Sequence, residues 1–506
     1  MSAPCESADP EARIAAGAVR GRREGGVAVF RGIPFAQAPT GRARFAAPQP
    51  MTPWDGVREA DAFGSPPPQS GTYGPAPAPT DDNWLTVNIW TPDSDPAARR
   101  PVMAWIYGGA YKVGSSDAPG YSAERLAREG DLVVVTFNYR TGVEGFAQIQ
   151  GAPVNRGLLD QVAALTWVRD NITEFGGDPG LVTVFGQSAG AGSVASLLAM
   201  PLAAGLFQQA IAQSVPGIYY SPELAADIAE AIAAELGLRP TTADLSEVEP
   251  VRLMAAADAV DRKLNQYQDR WGQVAQTATP FAPVIDGETL PATPWQALAA
   301  GAARDVPLIA GHTRDEFRLF LAMGGQLGSI TDEQATQSLR VLGPGPDGEQ
   351  AYRAAFPGAS AERLYELVQN DWLFRMPTLH LVEAQAAGGG HAYLYELAWA
   401  APANGGILGA CHGLDGPLVF GNLDEGFAAR LIGPAPYPAA EEVSAHFRTA
   451  WTRFAATGDP GWPAYDRHQR LTCVFDRPPA VIAYPEEASR RLWQDHFPPR
   501  PLPLIT

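Results

Sequence analysis

The segment Leu181-Val182-Thr183-Val184-Phe185-Gly186-Gln187-Ser188-Ala189-Gly190 constrains this chain more than any other. An apolar run of strand character enters a Gly-x-Ser-x-Gly turn, and the small-residue stretch from Ala191 to Met200 leaves it with helical character. A serine at such a sharp turn sits in strained backbone with its Oγ exposed, and Gly186 and Gly190 remove the side chains that would collide with neighbouring backbone. The turn also aims the N–H of Ala189 from a helix N-terminus, where developing negative charge is favoured. An isolated pentapeptide would say little; its strand and helix context makes Ser188 an expected nucleophile.

A strand-to-helix turn of this kind needs a sheet to carry it. Candidate strands are read at 102–107, 132–137, 181–186, 306–311 and 392–397, alternating with longer helical patterns, which predicts an α/β fold on a large, mostly parallel sheet with helices on both faces. Leu158, Val162, Leu165, Val168, Ile172 and Phe175 recur at steps of three and four up to Gly176-Gly177, one face of a helix. A second helix runs through Val443, Phe447, Ala450 and Phe454 to Gly458. Pro- and Gly-rich stretches at 64–80, 341–348 and 401–409 read as surface loops, since none is long enough for an interdomain linker. The expected organisation is one domain over 1–506, with a poorly ordered tail at 1–15 and an Ala/Glu/Asp-rich helical lid or side-wall at about 222–281.

With 506 residues, 46% of them hydrophobic, the chain buries a large core. Its 55 Asp and Glu against 37 Lys and Arg give a net charge of −18 with no basic run, which argues against nucleic acid and against an anionic membrane surface. Lys112 and Lys263 are the only lysines, an Arg-rich bias like that of GC-rich bacterial genomes. Three cysteines, Cys5, Cys411 and Cys473, make no disulfide framework and fit a reducing compartment. The first residues lack a basic n-region and an apolar h-region, and no apolar stretch approaches the ~20 residues of a membrane helix. A soluble, cytoplasmic bacterial protein is expected, without a membrane anchor and as a monomer or weak homo-oligomer. With no His-x-x-x-His or clustered Cys/His pattern, neither metal nor cofactor is expected.

The chain resembles the type-B carboxylesterases, the cholinesterase-like branch of the α/β-hydrolases. The resemblance rests on the elbow and on blocks in the family's order: Arg31 to Ala36 with Arg44-Phe45 and Pro53-Trp54, Leu85 to Trp90, Asn138-Tyr139-Arg140, Gly157 to Gln161, Phe175 to Pro179, Pro283 to Gly287, Thr313 to Glu316 and His412 to Phe420. It spans roughly residues 28 to 495. The resemblance implies a Ser–Glu–His triad of Ser188, Glu316 and His412, in the α/β-hydrolase chain order. His412 would take the serine proton and pass it to the leaving alcohol, and Glu316 would fix the imidazole tautomer. Asp315 is the rival acid; the family places its acid at the second position of the Asp-Glu pair. The oxyanion donors carried over are the N–H groups of Gly109, Ala110 and Ala189, on the loop Tyr107-Gly108-Gly109-Ala110-Tyr111 and at the elbow.

Several departures narrow what the resemblance implies. Tyr107 stands where many bacterial members have His, and Ala110 replaces a third Gly, narrowing the pocket by a methyl while keeping the N–H. Such loops are associated in the family with bulky, even tertiary, alcohol groups, so tertiary-ester hydrolysis is an expectation. Trp84 in Asp81-Asp82-Asn83-Trp84-Leu85 fills the place of a disulfide cysteine of secreted relatives. Gln187 replaces a frequent acidic residue, which disfavours cationic substrates. Phe317 follows Glu316 where Gly is usual, and Ser214 matches a serine that supports the triad's acid. Asp82 with Arg44, and Asp160 with Arg140, are expected as structural ion pairs. Tyr111, Tyr219, Tyr220, Trp372, Phe374 and Phe420 are candidate pocket residues or ordinary packing, and Lys112 reads either as a solvated surface lysine or as a contact for an anionic acyl substituent. The implied activity is ester hydrolysis through an acyl-enzyme. The alternatives are carbamate or amide cleavage by the same groups and, in another class, a non-catalytic scaffold or adhesion protein.

Overall fold

The computed structural model describes residues 9–71, 81–496 and 499–505. Fourteen strands occur among them: β1 (Glu11–Ile14), β2 (Gly17–Arg20), β3 (Arg22–Glu24), β4 (Val27–Pro34), β5 (Val57–Glu59), β6 (Thr86–Thr91), β7 (Arg100–Ile106), β8 (Val133–Phe137), β9 (Gly177–Gln187), β10 (Gln209–Gln213), β11 (Leu308–Thr313), β12 (Ala392–Leu397), β13 (Leu471–Phe475) and β14 (Ala480–Ala483). Eleven form one sheet in the order β14-β13-β12-β11-β10-β9-β7-β8-β6-β4-β3, while β1, β2 and β5 form a small second sheet. Neighbours are parallel from β8 across to β13 and antiparallel on both flanks. Strands buried on both faces read as unbroken apolar runs, and β8, all of whose residues are buried, shows why 132–137 was legible without alternation.

Helices cover the sheet where the periodicity places them. The helix Arg156–Asn171 passes into a 3₁₀ turn, Ile172–Phe175, that Gly176 ends at φ 79°, and Pro438–Thr457 ends at Gly458 with φ 74°. Both ends need a left-handed residue that glycine supplies without strain. Phe447 of the second helix stacks on Phe475 of β13, with ring centroids 4.0 Å apart, fastening helix to sheet.

The stretch 222–281 is helical, with Pro222–Ala234, Thr242–Leu245, Pro250–Asp261 and Gln268–Trp271 joined by short turns. It is tied internally by Trp271, whose Nε1 donates to Asp227 Oδ2 at 2.6 Å. The tail expected at 1–15 is only partly in view: residues 1–8 lie outside the described residues, and Glu11–Ile14 are not a tail but β1, paired with β2. Much of the 64–80 loop also lies outside them, as does Cys5. Cys411 and Cys473 are buried free thiols, and Trp84 is packed into the interior.

One expected ion pair forms and one does not. Arg140 and Asp160 make a fully buried bidentate pair, with Arg140 Nε to Asp160 Oδ2 at 2.8 Å and Nη2 to Oδ1 at 2.7 Å. Arg44 takes Glu144 instead of Asp82, at 2.6 Å, and also donates to the carbonyls of Ser246 and Val248. Its guanidinium thus ties the amino-terminal region to the short helix Gly142–Phe146 and the helical stretch beyond 222.

Candidate active site

Ser188 follows β9 directly and precedes the helix Ala189–Ala199, at φ 59° and ψ −125°. Left-handed backbone costs a residue with a side chain roughly 1–2 kcal/mol, so the turn has to be held from outside. The Ser188 N–H donates to Gln213 O of β10 at 2.8 Å, and its carbonyl accepts from Gly192 N at 2.9 Å. The glycines are obligatory for the reason read from sequence. A Cβ on Gly190 would stand 2.0 Å from the carbonyl oxygen of Ile106, and one on Gly186 2.6 Å from the Gly190 backbone.

The loops after β11 and β12 bring two further side chains to the serine. His412 Nε2 lies 2.8 Å from Ser188 Oγ, and His412 Nδ1 lies 2.5 Å from Glu316 Oε2. Glu316 is fully buried; its Oε1 accepts from Ser214 Oγ at 2.6 Å and from the Thr313 N–H at 2.8 Å. Burial pushes the Glu316 carboxyl up, but His412, Ser214 and the Thr313 N–H together outweigh it and hold it below the ordinary carboxylate value. Asp315, the rival acid, turns away and accepts from the Ala410 N–H at 3.0 Å. Cys411 is no rival nucleophile, because burial pushes its thiol up to about 12.

Gln187 meets the same imidazole nitrogen as the serine, with its Nε2 3.1 Å from His412 Nε2. The imidazole ring itself packs against aromatics. Phe374 stacks on it with centroids 4.3 Å apart, and Phe320 lies at 5.2 Å. Phe374 comes from a π-helical turn, Asp371–Arg375, whose ends are clamped by the buried Asp371–Arg375 pair at 2.5 Å. Phe320 was not singled out from sequence; its place four residues after Glu316, one helical turn on, was the available signal.

The glycine-rich loop leaves β7 beside the elbow. Gly109 has φ 119°, and Ala110 and Tyr111 follow at 57° and 56°. The Gly109 carbonyl accepts from the N–H groups of Lys112 and Val113, both at 3.0 Å. A peptide is planar and trans, so the N–H of Ala110 points opposite to that carbonyl, out of the turn. Gly109, Ala110, Gln187 and Ser188 are half-buried while their surroundings are closed.

Other pocket candidates turn out to be packing. Tyr107 is buried and stacked on Tyr139 at 4.4 Å, and each hydroxyl bonds the other residue's carbonyl. Phe420 lies among Trp105, Phe185 and Tyr121. Tyr111 packs on Phe146, Tyr219 donates to the Gly192 carbonyl, and Tyr220 is buried. These aromatics follow or flank strands as pocket residues would, but their rings face the core. Lys112 is not a solvated lysine: it is buried, with Nζ 2.7 Å from Asp258 and 2.6 Å from Asp261. Among the described residues, no group of three or more His, Cys, Asp or Glu is arranged to hold a metal ion, and no helix is long and apolar enough to cross a membrane.

Comparison with known proteins gives a consistent picture. Residues 8–487 match the profile of the carboxylesterase family. The para-nitrobenzyl esterase of Bacillus subtilis is 37% identical over 492 residues, covering 94% of this chain and 96% of that protein. The phenmedipham hydrolase of Pseudarthrobacter oxydans is 33% identical over 491 residues, with 94% and 96% covered. A crystal structure of a Geobacillus stearothermophilus carboxylesterase superposes with a TM-score of 0.84 at 35% identity, covering 96% of this chain and all of that one.

Proposed function

Because the chain belongs to the carboxylesterase family and is a carboxylic ester hydrolase of the α/β-hydrolase superfamily, we propose that Ser188, His412 and Glu316 carry out its chemistry. The observation that supports this reading is the unbroken chain from Ser188 Oγ through His412 to Glu316, at 2.8 and 2.5 Å. Ser188 Oγ attacks the ester carbonyl as His412 Nε2 takes its proton. The carbonyl oxygen becomes an oxyanion beside the N–H groups of Gly109, Ala110 and Ala189. Collapse expels the alcohol, which receives the proton from His412, and leaves an acyl group on Ser188. Water, deprotonated by His412, releases the acid and restores the serine.

Glu316 enters as an anion, and its two further donors keep it one while His412 carries charge. Fluorophosphonate labelling followed by peptide mapping tests the assignment. The expected adduct is on Ser188, and a folded protein that takes no label there would overturn Ser188 as the nucleophile.

Finer features belong to the same proposal. The whole chain forms one catalytic unit, with 222–281 as its side-wall, and Tyr107, Tyr111 and Phe420 support the site from behind. The phenmedipham hydrolase among the relatives favours assaying carbamates beside esters, since an oxyanion hole recognises the tetrahedral centre and not the leaving atom. Bacterial origin is supported by the relatives from Bacillus and Pseudarthrobacter. A reducing, cytoplasmic location is supported by the buried free thiols of Cys411 and Cys473.

A further inference from the structure

Lys112 stands two residues beyond Ala110, yet it points away from the site. Its ammonium is buried between Asp258 and Asp261, at 2.7 and 2.6 Å, both on the helix Pro250–Asp261. Two carboxylates more than balance one ammonium, so no net positive charge is left over for an anionic substrate. Buried ion pairs of this kind return little stability, because desolvation offsets their attraction; where they persist, fixing a geometry is their best-attested use.

The geometry fixed here is that of the glycine-rich loop. Lys112 N–H is one of the two donors that hold the Gly109 carbonyl, and that carbonyl sets the opposite direction for the Ala110 N–H. The next carbonyl, that of Ala110, accepts from Thr279 Oγ1 at 3.0 Å, and Thr279 is itself held by the Phe281 N–H at 3.2 Å. Two consecutive left-handed residues with side chains, Ala110 and Tyr111, would relax without such restraint. Restraint therefore comes from the 222–281 stretch at two points: Asp258 and Asp261 through the Lys112 side chain, and Thr279 through the Ala110 carbonyl.

We propose that Lys112 is a positioning residue for the oxyanion loop: its buried clamp onto Asp258 and Asp261 holds the Gly109–Ala110 peptide with the Ala110 N–H turned toward the developing oxyanion. This rests on the function proposed above, in which that N–H is an oxyanion donor. The helical side-wall is then part of the machinery that shapes transition-state binding. Substitutions in it alter turnover without touching substrate.

The test compares wild type, Lys112→Met, the charge-balanced triple variant Lys112→Met/Asp258→Asn/Asp261→Asn, and Lys112→Arg, on p-nitrophenyl acetate. The triple variant removes the clamp without leaving buried carboxylates unpaired, so it keeps a folded protein to measure. It is expected to lose roughly ten- to a hundredfold in kcat with KM within about twofold, part of the ~10²–10³ that loss of one oxyanion donor costs. Affinity for a trifluoromethyl ketone, which forms the tetrahedral adduct, should fall by the same factor as kcat/KM, and Lys112→Arg should recover part of both. A folded triple variant with wild-type kcat and wild-type ketone affinity overturns the proposal, as does a change confined to KM or to thermal stability. Ser188→Ala run in parallel separates the two readings: if that variant turns over normally, the triad assignment fails, not the clamp.

Discussion

Ser214 Oγ donates to Glu316 Oε1 at 2.6 Å, on the oxygen that His412 does not use. Ser214 is itself held at φ 61°, with its N–H on the Gly311 carbonyl at 2.7 Å, so the hydroxyl is delivered by β10 and β11 together. The Glu316 carboxyl is balanced between burial, which raises it, and three donors that lower it further. Ser214→Ala removes one donor and moves the balance toward the protonated acid. Because the carboxylate is needed as an anion, activity that is present at higher pH should be lost earlier as pH falls. We predict a loss of roughly tenfold in kcat/KM, the scale of a hydrogen bond to a charged group, with the acid limb displaced to higher pH. A pH–rate profile with an unmoved limb would contradict this.

Gln187 places a neutral amide 3.1 Å from His412. Gln187→Glu puts a negative charge beside the acyl-transfer centre. Its attraction for a cation a few ångströms away predicts a gain of about three- to tenfold in kcat/KM for acetylcholine relative to its neutral isostere 3,3-dimethylbutyl acetate. An unchanged ratio would show that the alcohol group lies far from residue 187.

In the proposed mechanism Gly109 and Ala110 offer backbone donors and carry no side chain larger than a methyl, and the family's loops of this kind are expected to admit a branched alcohol. Hydrolysis of tert-butyl acetate should be measurable against n-butyl acetate as reference. Absence of tert-butyl turnover under conditions that saturate with the linear ester would remove the tertiary-ester expectation.

The elbow was legible because it is local: the strand, both glycines and the serine lie within ten consecutive residues. The order of Glu316 and His412 came with the family resemblance, and β12 was legible at its observed bounds because its aromatic and aliphatic residues suit a strand, although Glu396 interrupts the run. Long-range partners were not legible. Arg44 meets Glu144, a hundred positions away, through the fold's own route, and nothing near Lys112 in sequence announces Asp258 and Asp261. Which of the aromatics pack in the core and which, like Phe374, reach His412 was open for a related reason. Tyr107 and Phe420 occupy the correct ends of the correct elements, but which way a ring turns is decided by neighbours such as Tyr139 and Trp105.

Glu396 of β12, paired across the sheet with His312 of β11, is buried with Arg375, Arg314, Asp315 and Glu486 around it, and burial pushes its carboxyl up to about 8. Below the ordinary carboxylate range both folded and unfolded chains hold the proton, and the site costs nothing. As pH rises toward 8 the unfolded chain releases its proton first, so stability is lost across that window. Glu396→Gln removes the liability. Its stability relative to wild type should rise from pH 5 to about pH 8 and level off above, by on the order of a few kcal/mol at most, read as a growing difference in melting temperature. A difference independent of pH would refute the direction of the shift.

The central claim is that Ser188 is the nucleophile, and the most direct measurement is steady-state turnover of p-nitrophenyl acetate by purified Ser188→Ala, with its melting curve taken alongside. Loss of kcat by roughly 10³-fold or more, with the melting temperature within a few degrees of wild type, is the predicted result, since a triad acts as a unit. Esterase activity retained in that folded variant would contradict the account.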